Sequence, residues 1–305
     1  MTPMPGLHHV TAISGPPQDN LDFYTRVLGQ RLVKRTVNFD DPGTYHLYYG
    51  DEVGSPGTIL TFFPFVDAGP GRAGPGMASA VAYRVAPGRL DAVMERFAEA
   101  AIDCEAPSER FGERMIALED PDRLRIELVE AAAPESEADI GAFHSVTLWL
   151  AKPEKTARIL TDVFGMVEAG HAAGPTEERW RFRAPDGKTA AVDLVRSDAP
   201  SIGRQGAGTI HHVAFRARTN EEQLLWREAV ASAGLHVTPV IDRQYFNAIY
   251  FREPGGVLFE IATDPPGFAV DEPAEELGRG LKLPPQYEAM RDRIERVLPP
   301  LRLAA

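Results

Sequence analysis

The chain has 305 residues, of which 44% are hydrophobic and 25% charged, with a formal net charge of −12; that length can bury a full core without staples. The acidic balance repels phosphate backbones and anionic lipid, which disfavours nucleic-acid and membrane-surface partners. Cys104 alone makes neither a disulfide nor a cysteine-cluster metal site, no apolar run approaches the ~20 residues of a membrane span, and residues 1–10 lack a signal-peptide pattern, so a cytoplasmic protein is expected.

In chain order, residues 7–13 (Leu-His-His-Val-Thr-Ala-Ile) read as a strand closed by Gly15-Pro16-Pro17. A helix is expected from Asn20 to Leu28, with Leu21, Tyr24, Val27 and Leu28 on one face and Gly29 as its C-cap. Strands follow at 31–39, 44–49 and 58–65, parted by turns at Asp41-Pro42-Gly43 and 54–57. The same β-α-β-β-β order then recurs three times. A second module has a strand at 78–85, a helix at 90–101 and strands near 114–118 and 123–129. A third has a strand at 143–150, a helix at 154–164 and strands near 179–182 and 190–195. The fourth has a strand at 209–217, a helix at 220–233 and a hairpin of 247–253 with 257–263. The tail after Pro265 carries a helix over 285–298, with Tyr287, Met290, Ile294, Val297 and Leu298 at helical spacing.

The modules overlay on one another. His8-His9-Val10-Thr11 and Val27-Leu28-Gly29 align with His144-Ser145-Val146-Thr147 and Val163-Phe164-Gly165 at one constant offset. Pro121 and Glu127 align in the same way with Pro254 and Glu260. The expected fold is therefore α+β, four βαβββ modules paired into two open β-barrels with helices outside. Residues 1–135 hold the N-terminal pair, 140–268 the C-terminal pair, and 269–305 the tail. Such a fold needs many turns, which accounts for the 27 Gly and 26 Pro.

Two strand starts carry a His-His pair, His8-His9-Val10 and His211-His212-Val213. Neighbours in a strand point to opposite faces, so one His of each pair faces a shared cavity: His9 with His212, or His8 with His211. Glu260 stands in the apolar strand Val257-Leu258-Phe259-Glu260-Ile261, where an unpaired charge is expensive. The turn Pro254-Gly255-Gly256 sets Glu253 opposite Val257, which in an antiparallel register puts Tyr250 opposite Glu260 and on its face. Arg243 lies on the strand before. Two imidazoles and a carboxylate with open positions form the facial triad of non-haem Fe(II) oxygen chemistry, and Zn²⁺ hydrolytic sites use the same donors. His46, His171 and His236 have no such support and read as structural or exposed; His144, which aligns with His8 rather than His9, reads as structural or as a residue standing behind a ligand. Glu127 occupies the place of Glu260 in the second module, but Ser79-Ala80 and Ser145 stand where histidines would be, so one metal per chain is expected.

These residues resemble the vicinal oxygen chelate superfamily, and within it the ring-cleaving dioxygenases of hydroquinone type. The resemblance covers about residues 6–268 and is carried by four segments. They are 7–11 (Leu-His-His-Val-Thr), 37–51 with its Asp-Asp-Pro-Gly-Thr-Tyr-His-Leu-Tyr-Tyr-Gly-Asp, 210–215 (Ile-His-His-Val-Ala-Phe) and 250–264 from Tyr250 to Asp264. It implies that His9, His212 and Glu260 bind the metal, that modules one and four build the site, and that His8, His211, Arg243 and Tyr250 surround a phenolic substrate. The activity it implies is an Fe(II)-dependent ring-cleaving dioxygenase that inserts O₂ into a hydroquinone or related dihydroxylated aromatic, with Mn(II) as the other metal the donors accept. His211 is then the candidate for proton transfer. The partners are a small aromatic substrate and O₂, and the chain is open to homo-oligomerisation. Rival readings on the same scaffold are a glyoxalase-like isomerase, a metal-dependent thiol transferase and a non-catalytic small-molecule binder.

Overall fold

The computed structural model describes residues 2–132, 140–197 and 201–303. Each module supplies four strands. The first gives β1 (Leu7–Ser14), β2 (Arg31–Val37), β3 (Tyr45–Gly50) and β4 (Ile59–Pro64). The second gives β5 (Met77–Val85), β6 (Ser108–Arg110), β7 (Glu113–Glu119) and β8 (Arg125–Glu130). From the third come β9 (Ile140–Trp149), β10 (Val167–Ala173), β11 (Glu177–Arg183) and β12 (Ala191–Ser197). From the fourth come β13 (Thr209–Ala217), β14 (Ile241–Asp242), β15 (Phe246–Arg252) and β16 (Leu258–Pro266).

The strands form two eight-stranded sheets, ordered β14-β15-β16-β13-β1-β4-β3-β2 and β10-β11-β12-β9-β5-β8-β7-β6. These are the paired open barrels of the expected α+β fold. Each sheet joins one module from each half of the chain, the first with the fourth and the second with the third. The expected junction near residue 135 lies outside the described residues. At the centre of each sheet the first strands of two modules meet antiparallel, with Val10 opposite Val213 and Val81 opposite Val146.

One helix per module packs outside. The first begins at Pro17, three residues earlier than its apolar spacing suggests, because the prolines that close β1 also suit a helix's first turn. It runs through α1 (Pro17–Asp22) into a π turn over Phe23–Val27, and Gly29, with φ +70°, follows its end. Next come α2 (Leu90–Glu99) and α3 (Glu154–Arg158), the latter continuing as a π turn over Ile159–Val163. The fourth, α4 (Asn220–Ser232), is capped by the Thr219 hydroxyl, which accepts from the Glu222 N–H at 3.1 Å. Its buried Gln223 donates to the carbonyls of Asn247 and Ile261, tying the helix to β15 and β16. The tail holds a 3₁₀ turn over Pro285–Met290 before α5 (Arg291–Val297), so only the second half of the expected tail helix is α-helical.

That tail wraps the edge strand β2. Lys34, fully buried, reaches Asp271 and Glu272 at 2.5 Å each and lies 4.9 Å from the ring centre of Tyr245. Tyr287 donates from its hydroxyl to the carbonyl of Phe39 at 2.7 Å, holding the loop that leads into β3. Two strands absent from the sequence reading, β6 and β10, are sheet edges, and the edge strand β14 stops at Asp242, so Arg243 lies just past its expected strand. Edge residues face solvent and lack the apolar alternation that marks an inner strand.

Candidate metal centre and its cavity

The central crossing of β1 and β13 is bulged twice. Leu7 pairs with Phe215 and His9 with Ala214, so His8 is the extra residue on β1. Thr11 pairs with His212 and Ala12 with Ile210, so His211 is the extra residue on β13. A bulge re-aims the side chains around it. Both His-His pairs thus meet the same local geometry, and the second residue of each turns to a common point.

That point is shared with Glu260, which stands beside Ala214 on β16 and opposite Tyr250 on β15, as the turn at Pro254-Gly255-Gly256 predicts. Nε2 of His9 lies 3.4 Å and Nε2 of His212 2.9 Å from one Glu260 oxygen, and the two nitrogens are 3.3 Å apart. All three side chains are buried. Donors bound at ~2.1 Å to one divalent ion lie about 3.0 Å apart at right angles and about 3.4 Å apart at tetrahedral angles. The triangle of donor atoms has those dimensions. Neither Glu260 oxygen receives a hydrogen bond of good geometry, although His212 comes close. A fully buried carboxylate left in that state asks for a cation.

The outer nitrogens of both imidazoles are held as well. Nδ1 of His9 meets Nδ1 of His8 at 2.9 Å, and Nδ1 of His212 meets Nδ1 of His211 at 2.8 Å. For Nε2 of His9 and His212 to offer lone pairs, each Nδ1 must carry the proton and donate it, so His8 and His211 accept at Nδ1 and keep their protons on Nε2. His8 also bonds the Thr263 backbone. Burial pushes the pKa of His8 and His212 down, and burial with the neighbouring His212 pushes His211 to about 4. Burial opposes the charge on Glu260, but His9 and His212 outweigh it and hold the carboxyl well below its usual range. Glu260 is therefore ionised, while burial favours the neutral ring at His8, His211 and His212.

A cavity of about 460 Å³ opens on the triad. His9, His212, Glu260, His211, Arg243 and Tyr250 line it; His8 does not, since it sits behind His9. Phe39, Phe63, Phe65 and Phe246 supply aromatic walls, and Phe246 stands 4.9 Å from the His9 ring. Arg243 donates from Nε to the Tyr250 hydroxyl at 3.3 Å, lies over that ring at 5.5 Å, and reaches Asp40 at 3.4 Å. Burial, with Glu260 beside it, raises the Tyr250 pKa, so the phenol keeps its proton.

Sequence reasoning passed over several lining residues. His46, read as structural or exposed, is in the cavity wall with Tyr48 and Thr11, and Asn38, Asp40 and Gln205 line it too. The available signal was strand parity: Thr11 shares the face of His9, and His46 shares that of Tyr48. His144 bonds Ser145 at 3.1 Å and Glu113 at 3.1 Å, a structural place in the second sheet.

Comparisons with known proteins agree with this architecture. The family model described as Glyoxalase/Bleomycin resistance protein/Dioxygenase superfamily matches residues 6–128 and 142–261. A Bacillus subtilis (strain 168) relative named "Putative ring-cleaving dioxygenase MhqO" is 46% identical over 97% of this chain and 96% of its own. The Chlorohydroquinone/hydroquinone 1,2-dioxygenase of Sphingobium indicum is 33% identical over 96% of this chain and 95% of its own. Among solved structures, one described as a "putative dioxygenase" from Bacillus subtilis subsp. subtilis str. 168 superposes with a TM-score of 0.92 at 45% identity, covering 100% of this chain and 99% of that one. Glyoxalase I from Zea mays shares the fold alone, with a TM-score of 0.66 at 14% identity over 85% of this chain and 92% of its own. The chain belongs to the Glyoxalase/Bleomycin resistance protein/Dioxygenase superfamily, the vicinal oxygen chelate fold, and within it to the ring-cleaving dioxygenase branch.

Proposed function

We propose that the chain is an Fe(II)-dependent dioxygenase that opens a hydroquinone or related dihydroxylated ring, with His9, His212 and Glu260 as metal ligands. The observation that carries this reading is the donor triangle of 2.9, 3.3 and 3.4 Å at the floor of an aromatic-walled cavity. The names of the relatives supply the substrate class. Two nitrogens and one carboxylate oxygen suit iron in its oxygen-activating role. When bound, Fe(II) supplies Lewis acidity toward a phenolic oxygen and a place for O₂.

The chain's own groups have separable tasks. Arg243 occupies the Tyr250 oxygen as a donor, which leaves the Tyr250 O–H to donate to a substrate oxygen. The guanidinium adds positive charge beside the developing phenolate. His211, neutral and protonated on Nε2, is a donor toward the cavity rather than a base. A proton leaves it only as His212 replaces it at Nδ1. His8 is a positioning residue that fixes the His9 ring. Phe39, Phe63 and Phe246 stack against an aromatic ring and exclude water.

The test is anaerobic reconstitution of the protein with Fe(II), addition of hydroquinone or catechol, and admission of O₂. Uptake of one O₂ per ring-opened product is the expected result, faster with hydroquinone than with catechol. No uptake with either diphenol, beside turnover of a thiol adduct, overturns the reading.

A further inference from the structure

On the cavity wall a line of polar residues crosses the sheet to the triad. The strands β3, β4, β1 and β13 lie side by side, and their registers set Tyr48 against Thr61, Thr61 against Thr11 and Thr11 against His212. The side chains of the first three join through His46. Its Nδ1 meets the Tyr48 hydroxyl at 2.9 Å, its Nε2 meets Thr61 Oγ1 at 2.8 Å, and Thr61 Oγ1 meets Thr11 Oγ1 at 2.9 Å. Thr61 is fully buried and Tyr48 nearly so.

Such a chain has two directions, and its end groups choose between them. A phenol is far more acidic than an alcohol and is the strongest donor in the line, while an imidazole nitrogen is its strongest acceptor. Tyr48 therefore donates to His46 Nδ1, which puts the His46 proton on Nε2 and points it at Thr61. Thr61 in turn donates to Thr11. The Thr11 hydroxyl, satisfied as an acceptor, has its own proton left for the cavity, one strand away from His212.

We infer that Tyr48 and His46 are positioning residues that polarise this line, so that Thr11 presents a preset O–H to a phenolate oxygen held at the triad. The equivalent places in the second sheet behave differently. Thr147 and Asp193 stand where Thr11 and Thr61 do, and Arg179 binds both, at 3.2 and 3.3 Å, so that the threonine there is tied down by charge. In the first sheet the line stays neutral. A neutral line delivers a donor without adding charge near the metal ligands.

The inference rests on the triad as the place where a phenolic oxygen binds, and its test needs no turnover. Histidine ring ¹⁵N spectra of the Zn²⁺-loaded protein, which is diamagnetic, should show His46 protonated at Nε2 with Nδ1 unprotonated. Anaerobic titration of the Fe(II)-loaded protein with hydroquinone should then show a closed cycle. Thr61→Val and Thr11→Val each weaken binding about tenfold, the size of a hydrogen bond to a charged oxygen, and the double variant is no weaker than either alone. Thr61→Ser, which keeps the hydroxyl, should stay within about twofold of the parent. A His46 protonated at Nδ1 overturns the inference, as do additive losses in the double variant. If Thr61→Val does not fold, the tautomer and Thr11→Val beside Tyr48→Phe decide by the same cycle. Tight hydroquinone binding without any O₂ uptake would instead count against the dioxygenase reading and leave this one standing.

Discussion

Glu260 and Glu127 occupy the same place in their two sheets, one beside Ala214 and the other beside Ala82. In the first sheet the carboxylate faces two imidazoles across 2.9 and 3.4 Å and has Tyr250 opposite it. In the second, Ala117 is opposite, Ser145 stands where His9 does and Ala80 where His212 does. There Glu127 takes two hydrogen bonds from Arg110, at 2.6 and 3.0 Å, and a third from Arg125 at 3.2 Å. Burial opposes its charge, but the arginines hold its pKa to about 2. Both sheets thus bury a carboxylate and both must give it a positive partner. One does so with guanidinium groups that occupy the carboxylate oxygens, although a cavity of about 560 Å³ also opens there; the other keeps ring nitrogens that can hold a metal beside its cavity.

The largest effect expected from breaking this comparison is at Glu260. Glu260→Gln should lower ring-opening activity by at least about a thousandfold and leave the protein with little bound metal, read by metal analysis per chain. The matched change on the other sheet should do the opposite. Glu127→Gln removes the anion that Arg110 and Arg125 pair with and should cost roughly 3–5 kcal/mol of stability in denaturant unfolding, with metal content unchanged. A loss of metal there would mean the two sheets do not divide the roles.

The third prediction concerns the seam between the first two modules. Tyr24, on the first helix, donates to Asp120 at 3.0 Å, and burial lifts the Asp120 pKa from 3.8 to about 7. The folded state therefore holds a proton that the unfolded chain has lost. This contribution is fully present below about pH 4 and disappears as pH rises through 7. Its removal should cost roughly 2 kcal/mol of stability between pH 5.5 and 7, and Asp120→Asn should flatten that slope. An unchanged slope in the variant would place the titration elsewhere.

The smallest effect is expected at the sheet edges. Val167 on the open edge β10 is 46% exposed, and Val167→Lys should change stability by less than about 0.5 kcal/mol. Leu32 on the covered edge β2 is 8% exposed, and Leu32→Ala should cost roughly 2–3 kcal/mol in the same unfolding measurement. Equal costs would mean that the tail does not seal its edge.

The legibility of each part follows from burial. Inner strands such as Thr209–Ala217 are apolar on the faces they bury, so their sequence announces them, whereas Val167–Ala173 has no buried residue at all and announces nothing. The α-helical part of the tail is shorter than its apolar spacing suggests because Pro284 and Pro285 open a 3₁₀ turn there.

By itself the sequence determined the four modules, the α+β class, the Tyr250–Glu260 register and the small set of residues able to hold a metal. Those are local matters of periodicity, turn length and residue type. Only the tertiary structure decided which histidine of each pair turns inward, because that depends on two bulges where β1 meets β13 across 200 residues of chain. It also decided that His46 belongs to the cavity and His8 does not. Strand parity fixes which residues share a face, but which face becomes the wall of a cavity is set by the strands packed beside it.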